Sequence, residues 1–187
     1  SHDRKIQNAM LDMEKPIIFT VDRIRNGKSF STRNVKALQD GEAIFSCSIS
    51  FQKREKGLSH QIKMPKIQGP EKLKSDLELR KDLQSKIPKD YLPMWLRERE
   101  IETRQVEPVD LLKAKKLPPY RSTWMKPTGK LPTDERIHQA LLLYVSDMGL
   151  LGAAVNPHEV NFMSKKFQSA SLDHVMWFHG KVNFNNW

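Results

Sequence analysis

One carboxylate, Asp173, lies in the apolar run SLDHVMWFHG, residues 171–180. The run is typical of a buried strand, and a charged group among apolar neighbours is costly unless it is hydrogen-bonded or takes part in chemistry. A carboxylate in such a place can act as a general base that takes a proton from water. From spacing alone, a single Asp at the head of a strand is more often a cap or turn residue, so both interpretations stay open.

Other residues with reactive side chains give weaker indications. His174 and His179 are five positions apart and face opposite sides of a strand, so they are not predicted to share a metal ion. Cys47, the single cysteine, alternates with Phe45 and Ile49 and is expected in a core. One cysteine excludes an intramolecular disulfide and a cysteine-based metal site. No Gly-x-Ser-x-Gly elbow is present, so a Ser-His-Asp mechanism is not predicted.

The formal net charge of +10 is compatible with a nucleic acid or with a smaller polyanion such as a phosphorylated cofactor. The longest charged stretch, residues 71–90, alternates in sign and is typical of a solvated helix. Because zinc-finger spacing and an RNP-like strand are absent, no nucleic-acid partner is predicted. A steep salt dependence of duplex binding would reverse that prediction.

Membrane and targeting signals are also weak. No apolar run reaches about 18 residues, so no membrane span is predicted. The stretch SHDRKIQNAMLDMEKP has no hydrophobic core of a signal peptide. We therefore expect a soluble, intracellular protein.

The clearest local pattern spans residues 16–53. Three runs of strand length are separated by Asn26-Gly27 and Asp40-Gly41, dipeptides that favour type I′ turns. The pattern predicts a three-stranded antiparallel meander. In its third strand one face carries five apolar or small residues: Ala43, Phe45, Cys47, Ile49 and Phe51.

The rest of the chain mixes loops, strands and one long helix. Residues 54–98 are predicted to be a proline-rich connector with a surface helix, and residues 99–112 and YRSTWMK to contain short strands. A helix is predicted to begin after Thr133 and to stop at Asn156-Pro157, buried on most sides because its apolar residues surround it. A strand is predicted around residues 170–184. The sequence thus predicts an α+β fold in which an antiparallel sheet wraps a central helix.

Three segments resemble one family. SASLDHVMWFHG resembles the Ser-Leu-Asp-His, Trp-Phe-His signature of the type II acyl-coenzyme A thioesterases, which have a double hotdog fold. VDRIRNGKSFSTRNVKALQDGEAIFSCSISFQ resembles the meander of their first hotdog, with the Arg-x-Gly-x-Ser-Phe motif at Arg25, Gly27, Ser29 and Phe30. LLLYVSDMGLLGAAVNPH resembles the helix of the second hotdog, with its Tyr-x-Ser-Asp turn.

The resemblance implies a hotdog-type antiparallel sheet wrapped on a central helix, in a double hotdog with missing N- and C-terminal parts. Residues 1–15 would be a divergent segment, 16–54 the C-terminal strands of the first hotdog unit, 55–98 a linker with a surface helix, and 99–187 the N-terminal part of the second unit. A hydroxyl residue and a glutamine, expected after the Trp-Phe-His motif, would be missing.

The resemblance also implies a reaction. These enzymes hydrolyse medium- or long-chain fatty acyl-coenzyme A to a free fatty acid and coenzyme A. Asp173 would activate the water beside an apolar acyl channel. Further residues are expected to contact the substrate: Arg25, Gly27, Ser29, Arg33 and His174. Arg25 and Arg33 could contact the phosphates of coenzyme A, as could Lys28 and Lys36. Surface arginines usually have no such specific role.

No separate cofactor and no metal are expected, since coenzyme A is part of the substrate. The resemblance favours a peroxisomal location, with the cytosol as the alternative, and homo-oligomer formation. A second hypothesis is a non-catalytic module that binds acyl-coenzyme A or another subunit, because unpaired strand edges recruit other chains.

Overall fold

The computed structural model describes residues 12–110, 112–113, 115–160 and 169–187. The chain divides into two compact units, Ser1–Lys63 and Met64–Trp187, here called unit 1 and unit 2. The boundary between them falls inside the predicted linker 55–98. Residues 1–11 of the predicted N-terminal segment lie outside the described part of the chain.

Unit 1 contains the predicted antiparallel meander. Its strands are β1 (Ile18–Asn26), β2 (Phe30–Gln39) and β3 (Glu42–Gln52), hydrogen-bonded in the order β1-β2-β3. All three runs of strand length are therefore confirmed as strands.

The two connections of the meander differ from one another. At the second, Asp40 and Gly41 have φ values of 52° and 82°, as a type I′ turn requires, so that prediction is confirmed. The type I′ prediction at Asn26-Gly27 is wrong, because neither residue has a positive φ. The amide of Gly27 instead donates to the carbonyl of Phe30 at 2.8 Å. A Cβ on Gly27 would lie 2.6 Å from that same oxygen, so the close approach needs glycine.

A β-bulge changes the predicted face of β3. Ala37 pairs with Phe45 but Leu38 pairs with Ala43, which leaves Ile44 as an extra residue. Because paired residues share a face and neighbours on β2 alternate, Ala43 lies on the opposite face from Phe45. The prediction for Ala43 is wrong for this reason.

The apolar face of the meander is more exposed than predicted. Phe19, Phe45 and Phe51 are each more than half exposed, and Cys47 is only partly buried. The expected core at this face is therefore wrong for the described residues. A single sheet layer buries a face only when a second layer packs on it.

Unit 2 contains short helices, one hairpin and a longer helix. Helices α1 (Asp76–Asp82) and α2 (Leu92–Trp95) precede β4 (Ile101–Gln105) and β5 (Thr123–Pro127), and α3 (Glu135–Ser146) and α4 (Leu150–Val155) follow. Single 3-10 turns are also present: Pro70–Lys72, Gln84–Lys86, Lys89–Tyr91 and Asn156–His158. Both predicted short strands are confirmed. The predicted helix of the charged stretch 71–90 is present as α1, but it is not fully solvated, because Arg80 is buried.

The core of unit 2 lies between the β4–β5 hairpin, α3 and the last residues of the chain. Ile101, Val145 and Phe184 are buried together, with five partly buried residues around them: Met125, Leu131, Leu141, Leu142 and Val182. A helix thus packs on an antiparallel sheet, and the α+β class is confirmed.

The long helix differs from its prediction in three respects. The cap is Asp134, whose carboxylate accepts the Arg136 amide, and not Thr133. The helix is also interrupted at Gly149, which has a φ of 100°. The expected burial on most sides is wrong, because the two-stranded hairpin covers one side and leaves Tyr144 and Leu150 exposed.

The strand predicted around residues 170–184 is wrong as well. The described residues 169–187 contain no strand. A strand needs a hydrogen-bonded neighbour, and none of the described segments pairs with this one. Several of its apolar side chains consequently stay in contact with solvent, and Leu172 is 94% exposed, whereas Phe184 at its end is buried.

Among the described residues, one helical stretch, Glu135–His158, is long and apolar enough to cross a membrane by length and composition. Core helices of globular proteins share both properties. Here Val145 of this stretch is buried against the β4–β5 hairpin.

Replacing Gly27 by alanine is expected to destabilise the meander by about 1–3 kcal/mol, because the added methyl group would clash with the Phe30 carbonyl. Gly57→Ala is the control, since a Cβ there meets open space. The measurement is urea unfolding followed by the NMR amide signals of β1–β3. Equal unfolding midpoints for the two variants would contradict the close-contact explanation.

Candidate active site

Asp173 lies on an irregular loop of unit 2, residues 171–176, here called the Asp173 loop. Its carboxylate is exposed, and none of the described residues forms a hydrogen bond or an ion pair with it. The neighbours Leu172, Val175 and Trp177 are also exposed. An unpaired carboxylate beside apolar side chains can accept a proton from water.

Contacts with the end of α3 hold the loop on both sides of Asp173. Before it, the Ser171 hydroxyl donates to the Asp147 carboxylate, at 3.3 and 3.4 Å. After it, His174 Nε2 lies 3.0 Å from Ser146 Oγ, and His174 Nδ1 lies 3.7 Å from Asp147 Oδ1. The Asp173 loop is therefore tied to the C-terminus of α3.

The sequence explains why α3 ends at this place. Ser146 is its last residue and donates its hydroxyl proton to the Leu143 carbonyl, at 2.7 Å. Asp147 is the C-cap residue, and Gly149 then takes a left-handed conformation that disfavours other residues. The predicted Tyr-x-Ser-Asp turn is this helix end. It presents two polar side chains to the loop.

Four of the predicted substrate-binding residues lie in unit 1, near the first turn of the meander. Arg33 is already engaged: it donates to the carbonyls of Arg25 and Thr32, both at 2.8 Å, and to Asn26 Oδ1 at 2.6 Å. The contacts with Arg25 and Asn26 lie next to the bulge between Asp22 and Arg25. In the described structure Arg33 therefore stabilises the meander.

The other meander residues have different surroundings. Arg25 is exposed, and its guanidinium has no hydrogen-bond or ion-pair partner among the described residues. Gly27 is fixed by the close Phe30 carbonyl. The carbonyl of Ser29 accepts the Lys53 amide at 2.9 Å, and its side chain is partly buried. Asp173 and His174, by contrast, are neighbours in unit 2.

Two clefts of unit 2, of about 370 and 350 Å³, lie elsewhere. The first is lined mainly by α1 and β4, and the second by residues around His138. Neither is lined by Asp173 or His174, so neither is the acyl channel that the resemblance predicts. In the described part of the chain, no group of three or more His, Cys, Asp or Glu residues is placed to hold a metal ion.

Sequence reasoning missed Ser146, Asp147 and Ser171 as partners of the candidate site. The available signal was the position of a Ser-Asp pair at a helix end that is followed by glycine. The side chains of such a pair can form hydrogen bonds with a segment that passes the helix C-terminus.

Solved structures give the class of fold. The chain matches the tesB protein of Mycobacterium avium subs paratuberculosis with a TM-score of 0.67 and 26% identity, over 94% of this chain and 58% of that one. It matches the acyl-CoA thioesterase II TesB2 of Mycobacterium marinum with a TM-score of 0.54 and 35% identity, over 76% of this chain and 48% of that one. The chain has a hotdog-type fold.

Sequence comparisons identify the family. The acyl-CoA thioesterase model matches residues 95–187, and the model of the acyl-CoA thioesterase N-terminal domain matches residues 10–52. Acyl-CoA thioesterase 2 of Haemophilus influenzae is 34% identical over 94% of this chain and 62% of that protein. Acyl-coenzyme A thioesterase 8 of Mus musculus is 37% identical over 94% of this chain and 57% of that protein.

The chain belongs to the type II acyl-CoA thioesterase family, as the sequence motifs indicate. It spans 57–62% of the length of these two curated relatives.

The N-cap of α3 gives a prediction on pH. Hydrogen bonds from the Arg136 side chain and backbone lower the pKa of Asp134 to about 2 from 3.8. Because the folded pKa is the lower one, the stabilisation is present above pH 3.8 and is lost as pH falls toward 2. Asp134→Ala should therefore lower Tm at pH 6, and by less at pH 3.

The matched control is Asp134→Ser, which keeps a capping hydroxyl but does not titrate. Tm values of the three proteins between pH 6 and pH 3 test the prediction. A deficit of Asp134→Ala that is constant over this range would contradict it.

Proposed function

We propose that this chain is part of an enzyme that hydrolyses medium- or long-chain fatty acyl-coenzyme A to a free fatty acid and coenzyme A. The observation that carries the proposal is the carboxylate of Asp173 within the family signature SLDH…WFH, which is exposed and has no partner among the described residues. The two family models and the names of the relatives support the same reaction class.

In the proposed reaction Asp173 accepts a proton from water while the water oxygen attacks the thioester carbonyl carbon. The carbonyl oxygen becomes an oxyanion in the tetrahedral intermediate, where hydrogen-bond donors stabilise it. When the intermediate collapses, the C–S bond breaks and the proton passes from Asp173 to the leaving thiolate. The products are a carboxylic acid and coenzyme A thiol. The resemblance also implies a hydroxyl residue and a glutamine, which are expected after the Trp-Phe-His motif.

Coenzyme A carries phosphates that need cationic partners. Of the predicted residues, Arg25 has no guanidinium partner in the described part of the chain, whereas Arg33 already donates to Arg25, Thr32 and Asn26. We therefore propose Arg25 as the better phosphate contact, with Lys28, three positions further along the chain, as a second one. Gly27, Ser29 and His174 remain predicted contacts, and the peroxisomal location remains a prediction.

The first test is thiol release from medium- and long-chain acyl-coenzyme A. Asp173→Asn keeps the shape of the side chain but removes the base, so kcat should fall by about 10²–10⁴-fold. Asp90→Asn, an exposed position on the turn Lys89–Tyr91, is the matched control and should keep full activity. Equal turnover by wild type and Asp173→Asn would refute the role of Asp173.

A second candidate function is a non-catalytic acyl-coenzyme A-binding or subunit-interaction module. The exposed apolar side chains of Leu172, Val175 and Trp177 favour it, because exposed apolar groups in a cluster are typical of binding surfaces. Calorimetric binding of acyl-coenzyme A by a folded wild-type chain that releases no thiol would support this function over hydrolysis.

The apolar face of the meander supports self-association. Phe45 and Phe51 are each 53% exposed on this face, and burying them against a second copy would remove apolar surface from water. Phe45→Thr with Phe51→Thr should shift sedimentation velocity toward the monomer. The control is Ser50→Thr on the polar face of the same strand, and an unchanged distribution for the double variant would contradict the proposal.

A further inference from the structure

We propose that Ser146 and Asp147, here called the helix anchor, position the Asp173 loop for the reaction. The inference rests on the proposed function, because it assigns a role relative to Asp173. Neither residue contacts the Asp173 carboxylate. Both act on the segments before and after it.

The anchor contacts residues on either side of Asp173. Asp147 accepts a hydrogen bond from Ser171, two positions before Asp173. Ser146 is 3.0 Å from His174 Nε2, one position after it, and 3.7 Å from Met176 Sδ. The chain is held at residues 171 and 174. The residues between these positions therefore have little freedom, and the carboxylate of Asp173 is restrained.

The distances separate this arrangement from an assembled nucleophilic triad. Ser146, His174 and Asp147 have the residue types of a triad, but His174 Nδ1 is 3.7 Å from Asp147 Oδ1, beyond hydrogen-bond distance. The Ser146 hydroxyl also lies at 2.7 Å from the Leu143 carbonyl, to which it can donate. Ser146 Oγ and His174 Nε2 are 3.0 Å apart, and the direction of their hydrogen bond depends on the imidazole tautomer. The group holds His174 beside the end of α3.

The anchor itself is rigid enough for this role. Val145, directly before Ser146, is 2% exposed and packs with Ile101 and Phe184 in the core of unit 2. The Asp173 loop forms no strand hydrogen bonds with the described residues, and the side chains of Leu172 and Val175 are largely exposed. Among the described residues, every polar contact that connects this loop to the core is therefore a contact with the anchor.

A catalytic group that is misplaced by about 1 Å can lose a hundredfold in rate. We therefore expect the double variant Ser146→Ala, Asp147→Ala to lower kcat by about 10–100-fold with KM changed less than about twofold. Ser146→Thr, which keeps the hydroxyl, should retain kcat. Ser122→Ala and Asp90→Asn are matched controls that lie away from the loop.

The test uses the whole 187-residue chain, with thiol release from acyl-coenzyme A and hydrogen–deuterium exchange of the amides of residues 171–176. Faster exchange together with lower kcat at constant KM supports the inference. Faster exchange with unchanged kcat overturns the positioning role, and unchanged exchange in the double variant overturns the anchor itself.

A wild-type chain without turnover counts against hydrolysis by the 187-residue chain and not against the anchor, because the exchange measurement does not depend on activity. In that case faster exchange in the double variant still supports the anchor as a device that fixes the loop, and unchanged exchange still overturns it.

Discussion

The imidazole of His138 makes the contact on which unit 2 depends. It is buried on α3, with Nε2 at 2.9 Å from the Pro132 carbonyl and Nδ1 accepting the Phe184 amide at 3.1 Å. Because Nδ1 accepts a backbone N–H, Nε2 carries the proton and donates to Pro132. One ring thereby joins the loop before α3, the helix itself and the last residues of the chain. Along the chain, the Asp173 loop lies between α3 and Phe184, and the His138 contact fixes both.

Local sequence patterns predicted the turns and strands whose formation depends on neighbouring residues. The Asp40-Gly41 turn follows from two residues that tolerate a positive φ, and the strands on both sides follow from their alternation. The short strands β4 and β5 were likewise visible, since β-branched and aromatic residues cluster there. The type I′ prediction at Asn26-Gly27 is wrong because Gly27 is needed for the close approach of the Phe30 carbonyl. The spacing of residues in the sequence does not reveal such a contact.

Burial was predicted less well than secondary structure, for a physical reason. Alternation shows that one face of β3 is apolar, but it does not show which layer covers that face. The same holds for Tyr144 and Leu150 on the long helix, and for Leu172 near Asp173. In the candidate site, the motif located Asp173 and His174, whereas Ser146 and Asp147 emerged only from the distances across the helix end.

The extra residue at Ile44 has a consequence for how the chain tolerates changes of length. On one side of it Ala37 pairs with Phe45, and on the other Leu38 pairs with Ala43. Removing Ile44 would turn these into consecutive pairs of a regular ladder, and both the Asp40-Gly41 turn and the pairing beyond Phe45 would be kept. A relative could therefore carry a one-residue gap at this position and still build the same meander.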